Sequence, residues 1–133
     1  MQLTIGGLCP LLQVFDMPTS LRFYRDILGF VPTSPVPEDG VCDWVLLELN
    51  GSELMLNIAF EATERPTAPD PVRAAAHGDT TLFFDCANVD EAYAFLLQKG
   101  LTVKAPVVQD YGMKQLYLND PDGYEICFQH PAK

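Results

Sequence analysis

Two pairs of glycines recur in this chain at nearly the same offset, and they limit the folds open to it more than any other feature. Gly29 and Gly100 each close a helical apolar pattern and lie 71 positions apart, while Gly51 and Gly123 each sit in a tight-turn sequence and lie 72 apart. The turn chemistry repeats as well, with Asn50-Gly51 in the first half answered by Asp122-Gly123 in the second. Asn-Gly between two apolar runs is a strong hairpin signal, because the turn needs positive φ at both central residues. Two landmarks at one offset predict an internal duplication.

Each half reads as one β-α-β-β-β unit. In the first, residues 8–15 form an extended apolar run. Asp16-Met17-Pro18-Thr19-Ser20 then starts a helix, with a carboxylate to cap free amides and a proline suited to the first turn. Leu21, Tyr24 and Leu28 recur at helical spacing, Phe23 and Ile27 widen the stripe, and Gly29 ends it. A proline-rich stretch from Val31 to Pro37 holds a short edge strand, and strands at 44–49 and 53–58 flank Asn50-Gly51. In the second half, residues 81–85 are a strand, and Asn88-Val89-Asp90-Glu91 resembles a capping box. Ala92, Phe95 and Leu96 form the inward stripe of the next helix, Val103 starts an edge strand, and strands at 114–119 and 124–129 flank Asp120-Pro121-Asp122-Gly123. Residues 61–78, with Pro66, Pro69 and Pro71, read as a connector. The predicted class is α+β, in a single domain over residues 1–133, with modules at about 6–60 and 79–131. A helix covers one face of each sheet, and two such sheets side by side would curve their free faces into a cup for a ligand.

Composition narrows the partners. The net charge is −10 and the pI about 4.3, so nucleic acid is not expected and a cationic ligand is favoured. No apolar run is long enough for a membrane helix, and the N-terminus lacks a basic start and apolar core of a signal peptide, so the expected location is the cytoplasm. Cys9, Cys42, Cys86 and Cys127 are far apart, without a C-x-x-C, and read as buried free thiols rather than a disulfide framework.

Strand alternation proposes which side chains face the cup. Cys9, Leu11 and Gln13 share a face; so do Trp44, Leu46 and Glu48; so do Thr81, Phe83 and Asp85; and so do Cys127 and Gln129. Trp44 and Phe83 read either as core or as ligand platform. Glu48 either meets solvent or greets a cationic or polar ligand group. Tyr111-Gly112-Met113 precedes a strand, where the glycine gives mobility and Tyr111 and Met113 close over a ligand. Met55 suits an adaptable apolar wall.

The stretch Asp16-Met17-Pro18-Thr19-Ser20-Leu21-Arg22-Phe23-Tyr24-Arg25-Asp26-Ile27-Leu28-Gly29-Phe30 resembles the opening motif of the glyoxalase/bleomycin-resistance/dioxygenase (vicinal oxygen chelate) superfamily. Tyr111-Gly112-Met113-Lys114-Gln115-Leu116-Tyr117-Leu118-Asn119-Asp120-Pro121-Asp122-Gly123-Tyr124 resembles its closing motif, most like the bleomycin-resistance branch. The resemblance implies two tandem βαβββ modules forming a curved mixed sheet around a central cup, and commonly a homodimer. Enzymes of this superfamily hold a divalent metal with His, Glu or Gln side chains from both halves. Counted from the motifs, those positions fall here on Cys9, on Met55 or Asn57, on Thr81 and on Cys127. That set suits no metal in an oxygen-rich shell. The expected ligand pocket is therefore Cys9, Gln13, Trp44, Glu48, Met55, Asn57, Thr81, Phe83, Tyr111, Met113 and Cys127, with no metal and no other cofactor, and the sequence assigns no catalytic role to any of them. The expected function is metal-free binding of a small molecule, sequestering a cationic or aromatic antibiotic. The alternative is a metal-dependent lyase, isomerase or dioxygenase with an altered set drawn from Cys9, Cys127 and His77 or Glu48.

Overall fold

The computed structural model describes residues 2–133 and divides into two compact units, Met1–Thr67 and Ala68–Lys133. Within the first unit, β1 (Leu11–Val14) is followed by α1 (Met17–Leu21), β2 (Val31–Pro32), β3 (Trp44–Leu49) and β4 (Ser52–Ile58). The sheet order is β1-β4-β3-β2; β1 runs parallel to β4 and the other pairs are antiparallel. The second unit holds α2 (Pro71–His77), β5 (Thr81–Asp85), α3 (Val89–Gln98), β6 (Val107–Val108), β7 (Met113–Asn119) and β8 (Glu125–Pro131). Its sheet order, β5-β8-β7-β6, repeats the first pattern with the same parallel and antiparallel pairs.

Alternation along the strands sends one set of side chains into each core. In the first unit, Leu12, Val14, Val45, Leu47, Leu54 and Leu56 are buried along with Leu21, Phe23 and Tyr24 of the helical segment. In the second, Leu116, Leu118 and Ile126 are buried along with Val89 and Leu96 of α3. Both helices start as the sequence predicts. Asp16 accepts from the Thr19 amide, and Asn88 accepts from the amides of Asp90 and Glu91. The Asn50-Gly51 turn has φ of 51° and 88°, the positive pair that this hairpin geometry demands.

Four local expectations change. The first helix is not α-helical throughout: α1 runs into a π-helical stretch, Arg22–Ile27, where the Leu28 amide donates to the Phe23 carbonyl at 3.0 Å. Within this stretch the adjacent Phe23 and Tyr24 are both buried. Their rings meet edge to face at 4.9 Å. The edge strand expected at Val103 forms instead at Val107–Val108, after Pro106, which has no amide to give to a ladder. Phe95, expected to face inward, is 44% exposed, and Val89 and Leu96 fill the inner face of α3. The connector contains α2, capped by Asp70 with Pro71 in its first turn.

α2 has a defined seat. His77 stacks on Tyr124 with ring centroids 4.0 Å apart. Its Nδ1 lies 2.7 Å from the Asp122 carbonyl, which can only accept, so the proton is assigned to Nδ1. The Asp120 carboxylate accepts from the amides of Asp122 and Tyr124, holding the turn that α2 rests on. A Cβ on Gly123, whose φ is +91°, would lie 2.1 Å from the Ala74 carbonyl oxygen. Gly51 has similar φ, +88°, but open space around it. Gly51→Ala is therefore expected to cost about 1 kcal/mol from backbone strain alone. Gly123→Ala should cost at least about 2 kcal/mol, because backbone must also move. Urea denaturation of both variants checks this; equal losses would mean that α2 does not pack on the turn.

Candidate functional site

The strand registers assign the side chains on the face of each sheet away from its helix. In the first unit, Gln13, Asn57 and Trp44 form one row, Leu11, Met55 and Leu46 the next, and Glu53 and Glu48 a third. Asn57 Nδ2 donates to Gln13 Oε1 at 3.2 Å, tying two strands together. Trp44 is 41% exposed and Met55 is half-buried, so neither is swallowed by the core. Glu48 does not stand ready for a ligand cation: its Oε1 accepts from the Gly51 amide at 3.0 Å and closes the hairpin. Cys9 precedes β1; partial burial, then the Glu53 carboxylate, pushes its thiol pKa up.

The second unit carries the richer face. Thr81, Glu125 and Asn119 form one row, Phe83, Cys127 and Tyr117 the next, and Asp85, Gln129 and Gln115 a third. Met113 continues the β7 side beside Pro131. The side-chain amide of Gln115, a buried residue, organises this face. Its Oε1 accepts from the hydroxyls of both Tyr111 and Tyr117 at 2.9 Å, and its Nε2 donates to Gln129 Oε1 at 2.9 Å. Phe83 meets Tyr117 edge to face at 6.4 Å. Phe83 and Tyr111 are 54% and 64% exposed, so their ring surfaces remain available. The Thr81 hydroxyl donates to Glu125 Oε1 at 2.6 Å.

Thus Gln13, Trp44, Glu48, Met55 and Asn57 share the free face of the first sheet, with Cys9 at its entry. Thr81, Phe83, Met113 and Cys127 share that of the second, and Tyr111 bonds to it. Sequence reasoning omitted Gln115, Tyr117 and Glu125 from the site and left out Gln129 after placing it on the correct face. The signal was present: counting by twos from Met113 reaches Gln115 and Tyr117.

Comparison with known proteins agrees with this architecture. The profile of the Glyoxalase/Bleomycin resistance protein/Dioxygenase superfamily matches residues 7–128. The chain belongs to that superfamily. Among solved structures, it is similar to TnmS3, an antibiotic-binding protein from Streptomyces sp. CB03234, with 25% identity, coverage of 98% of this chain and 99% of that one, and a TM-score of 0.71. It is also similar to the bleomycin resistance determinant encoded on the transposon Tn5, with 18% identity, coverage of 97% and 100%, and a TM-score of 0.70. A bleomycin-binding protein complexed with bleomycin gives 19% identity, coverage of 95% and 98%, and a TM-score of 0.68. The superfamily therefore includes ligand-binding members of this fold. No curated protein sequence matches the chain.

The divalent metal used by enzymes of this superfamily finds a poor set of donors here. Within either unit, no three His, Cys, Asp or Glu side chains gather among the described residues. Cys127 is fully buried; that burial raises its thiol pKa and keeps it protonated, against the opposing hydrogen bond from Tyr117. Thr81 gives its hydrogen to Glu125, and His77 is held by Asp122 and Tyr124. The residues present do not fit the metal.

The same face makes a pH prediction. Burial, followed by the neighbouring Cys127, Tyr111 and Glu125, pushes the Tyr117 phenol up to about 12 from an ordinary value of 10.0. Below pH 10 folded and unfolded chains both keep the proton. Between 10 and 12 the unfolded chain releases it first, so folding stability falls across that window. Near-ultraviolet titration should show Tyr117 ionising late, so Tyr117→Phe should reduce the late amplitude by one tyrosine. A Tyr117→Phe protein whose late amplitude is unchanged would assign that step elsewhere.

Proposed function

We propose that this protein sequesters a cationic, aromatic small molecule of the antibiotic class, holding it without a metal and without chemical turnover. One observation carries the reading. The floor of the second sheet presents a hydrogen-bonded Tyr111–Gln115–Tyr117 array beside exposed Phe83, where a metal enzyme would need ionised or imidazole donors. Aromatic faces attract planar rings and cations, and a fixed amide holds the phenols in place without adding charge. The net charge of −10 supports a cationic ligand and opposes a nucleic-acid partner. The likeness to TnmS3, an antibiotic-binding protein, supports an antibiotic as the ligand. Among the described residues, no helix is long and apolar enough to cross a membrane, and the reading places the protein in the cytoplasm without a membrane partner.

Bleomycin is the first probe. Calorimetry should give near-stoichiometric binding, with bleomycin recovered unchanged by mass spectrometry. Phe83→Ala or Tyr111→Ala should weaken binding tenfold or more, about 1.4 kcal/mol. A small panel of cationic aromatic antibiotics extends the test. Absence of binding across the panel, or steady product formation, would overturn the reading.

The proposal includes a homodimer. Leu11, Trp44, Phe83 and Tyr111 leave large apolar surfaces exposed, as do Val31, Val107 and Val108 on the edge strands. Exposed apolar side chains on a sheet face or edge are available for association between chains. Light scattering after size exclusion should give twice the chain mass of 14.7 kDa. A mass that stays at one chain at high concentration would remove this part of the proposal.

A further inference from the structure

The first unit contains a cavity that neither free sheet face accounts for. It holds about 200 Å³ and lies beyond the ends of β1 and β4, beside the loop that enters β3. Phe15, Ile58, Phe60 and Val41 supply apolar wall, and Arg65, Cys42 and Asp43 line it with polar atoms. Its architecture is held from two sides. Phe15 and Phe60 meet edge to face at 6.5 Å. Arg65 Nη1 donates to Asp16 Oδ1 at 2.8 Å, and its guanidinium lies 5.1 Å from the centre of the Phe15 ring. That pair joins the 61–67 segment to the start of α1 without calling on a ligand.

Charge then separates the two lining carboxylates. Asp16 is committed, because it caps α1 through Thr19 and pairs with Arg65. Asp43 is exposed and has no hydrogen bond or ion pair from its carboxylate among the described residues. With Arg65 neutralised by Asp16, Asp43 leaves the lining with one uncompensated negative charge. Burial, then the charges of Asp43 and Asp39, pushes the Cys42 thiol up, so the local field is negative where the thiol sits. An anionic ligand is repelled there, and a cation is drawn in.

Size sets the body of that cation. An apolar cavity of roughly 150 Å³ accepts benzene. A volume near 200 Å³ therefore has room for one ring and a short substituent. We propose that this cavity binds a compact arylalkylammonium ion, with a single ring against Phe15 and Phe60 and a protonated primary amine at Asp43. The ring buries apolar surface, and the ammonium meets the lining carboxylate that has no partner among the described residues. The proposal does not depend on how the sheet faces are used.

The probe is 2-phenylethylamine, with 2-phenylethanol as its uncharged counterpart. Iodoacetamide alkylation, mapped by peptide mass, follows Cys42 inside the cavity and Cys86 outside it. The amine should slow alkylation of Cys42 while leaving Cys86 unchanged. The alcohol should need about fivefold more for equal protection, the upper range of an exposed ion pair. Asp43→Asn should erase that preference without emptying the site, since the ring contacts remain. Because Asp43 is exposed, this variant is expected to fold. Methyl shifts of Ile58 in an NMR titration give a second readout independent of thiol reactivity. Unchanged Cys42 reactivity and unshifted Ile58 at millimolar amine would overturn the site. Equal binding of amine and alcohol, or a preference that survives Asp43→Asn, would overturn the ammonium assignment.

Discussion

Each unit depends on a parallel pairing between its first and last strands, β1 with β4 and β5 with β8. A parallel pair needs a crossover, and here the crossover includes one helix that covers one face only. The apolar alternation follows from that single cover. Leu12, Leu56, Val45 and Leu47 turn toward the helix side, so Gln13, Asn57, Trp44 and Glu48 must turn away. Shifting any strand by one residue would exchange the two sets and expose the core, which fixes the register. The composition of the free face is therefore open to vary without disturbing the fold. That freedom lets one superfamily carry different chemistry on one scaffold.

On the second sheet, an uncharged network of amides and phenols lies between the carboxylates of Glu125 and Asp85. A buried glutamine would be costly alone, but Gln115 is satisfied on both ends: two phenols give to its oxygen and Gln129 accepts from its nitrogen. The array couples three side chains of β7 and β8 to Tyr111 in the preceding loop. A loop tyrosine that would otherwise sample many positions is held at a defined place over the sheet. Such preorganisation favours binding by lowering the ordering cost at the moment of contact. It offers little to a metal, because the Gln115 amide oxygen already accepts from two phenols, and neither an amide nitrogen nor a protonated phenol is a ligand for a divalent ion.

Much of the fold was legible because its signals are local. The Asp16 and Asn88 caps, the Asn50-Gly51 turn and the alternation of β3 each follow from a few neighbouring residues, and the repeat joined them into one topology. The misses are places where contact at a distance decides. The π-helical stretch keeps Phe23 and Tyr24 on the buried stripe that the spacing predicts, but the spacing does not reveal the wider turn itself. The α2 helix has only seven residues, too short for a clear apolar stripe, and it gains its place through Tyr124 and Gly123. Its Asp70-Pro71 start followed by alanines was a readable cap signal, outweighed by the prolines around it. For the site, face membership was readable from period two, but roles were not. Nothing in the sequence around Glu48 shows that its carboxylate closes a turn. Nothing around Gln115 shows that one amide serves two tyrosines.

The two free faces are not equivalent, although the two sheets share one topology. Both offer an aromatic row, with Trp44 on the first sheet and Phe83 with Tyr117 on the second. On the first, a single side-chain bond between Asn57 and Gln13 links neighbouring strands, and the Glu48 carboxylate is spent on its own hairpin. On the second, the side-chain bonds run from the Tyr111 loop through β7 to β8. The first face is thus the more adaptable wall, with Met55 and Leu46 able to repack, while the second holds its polar groups in fixed positions.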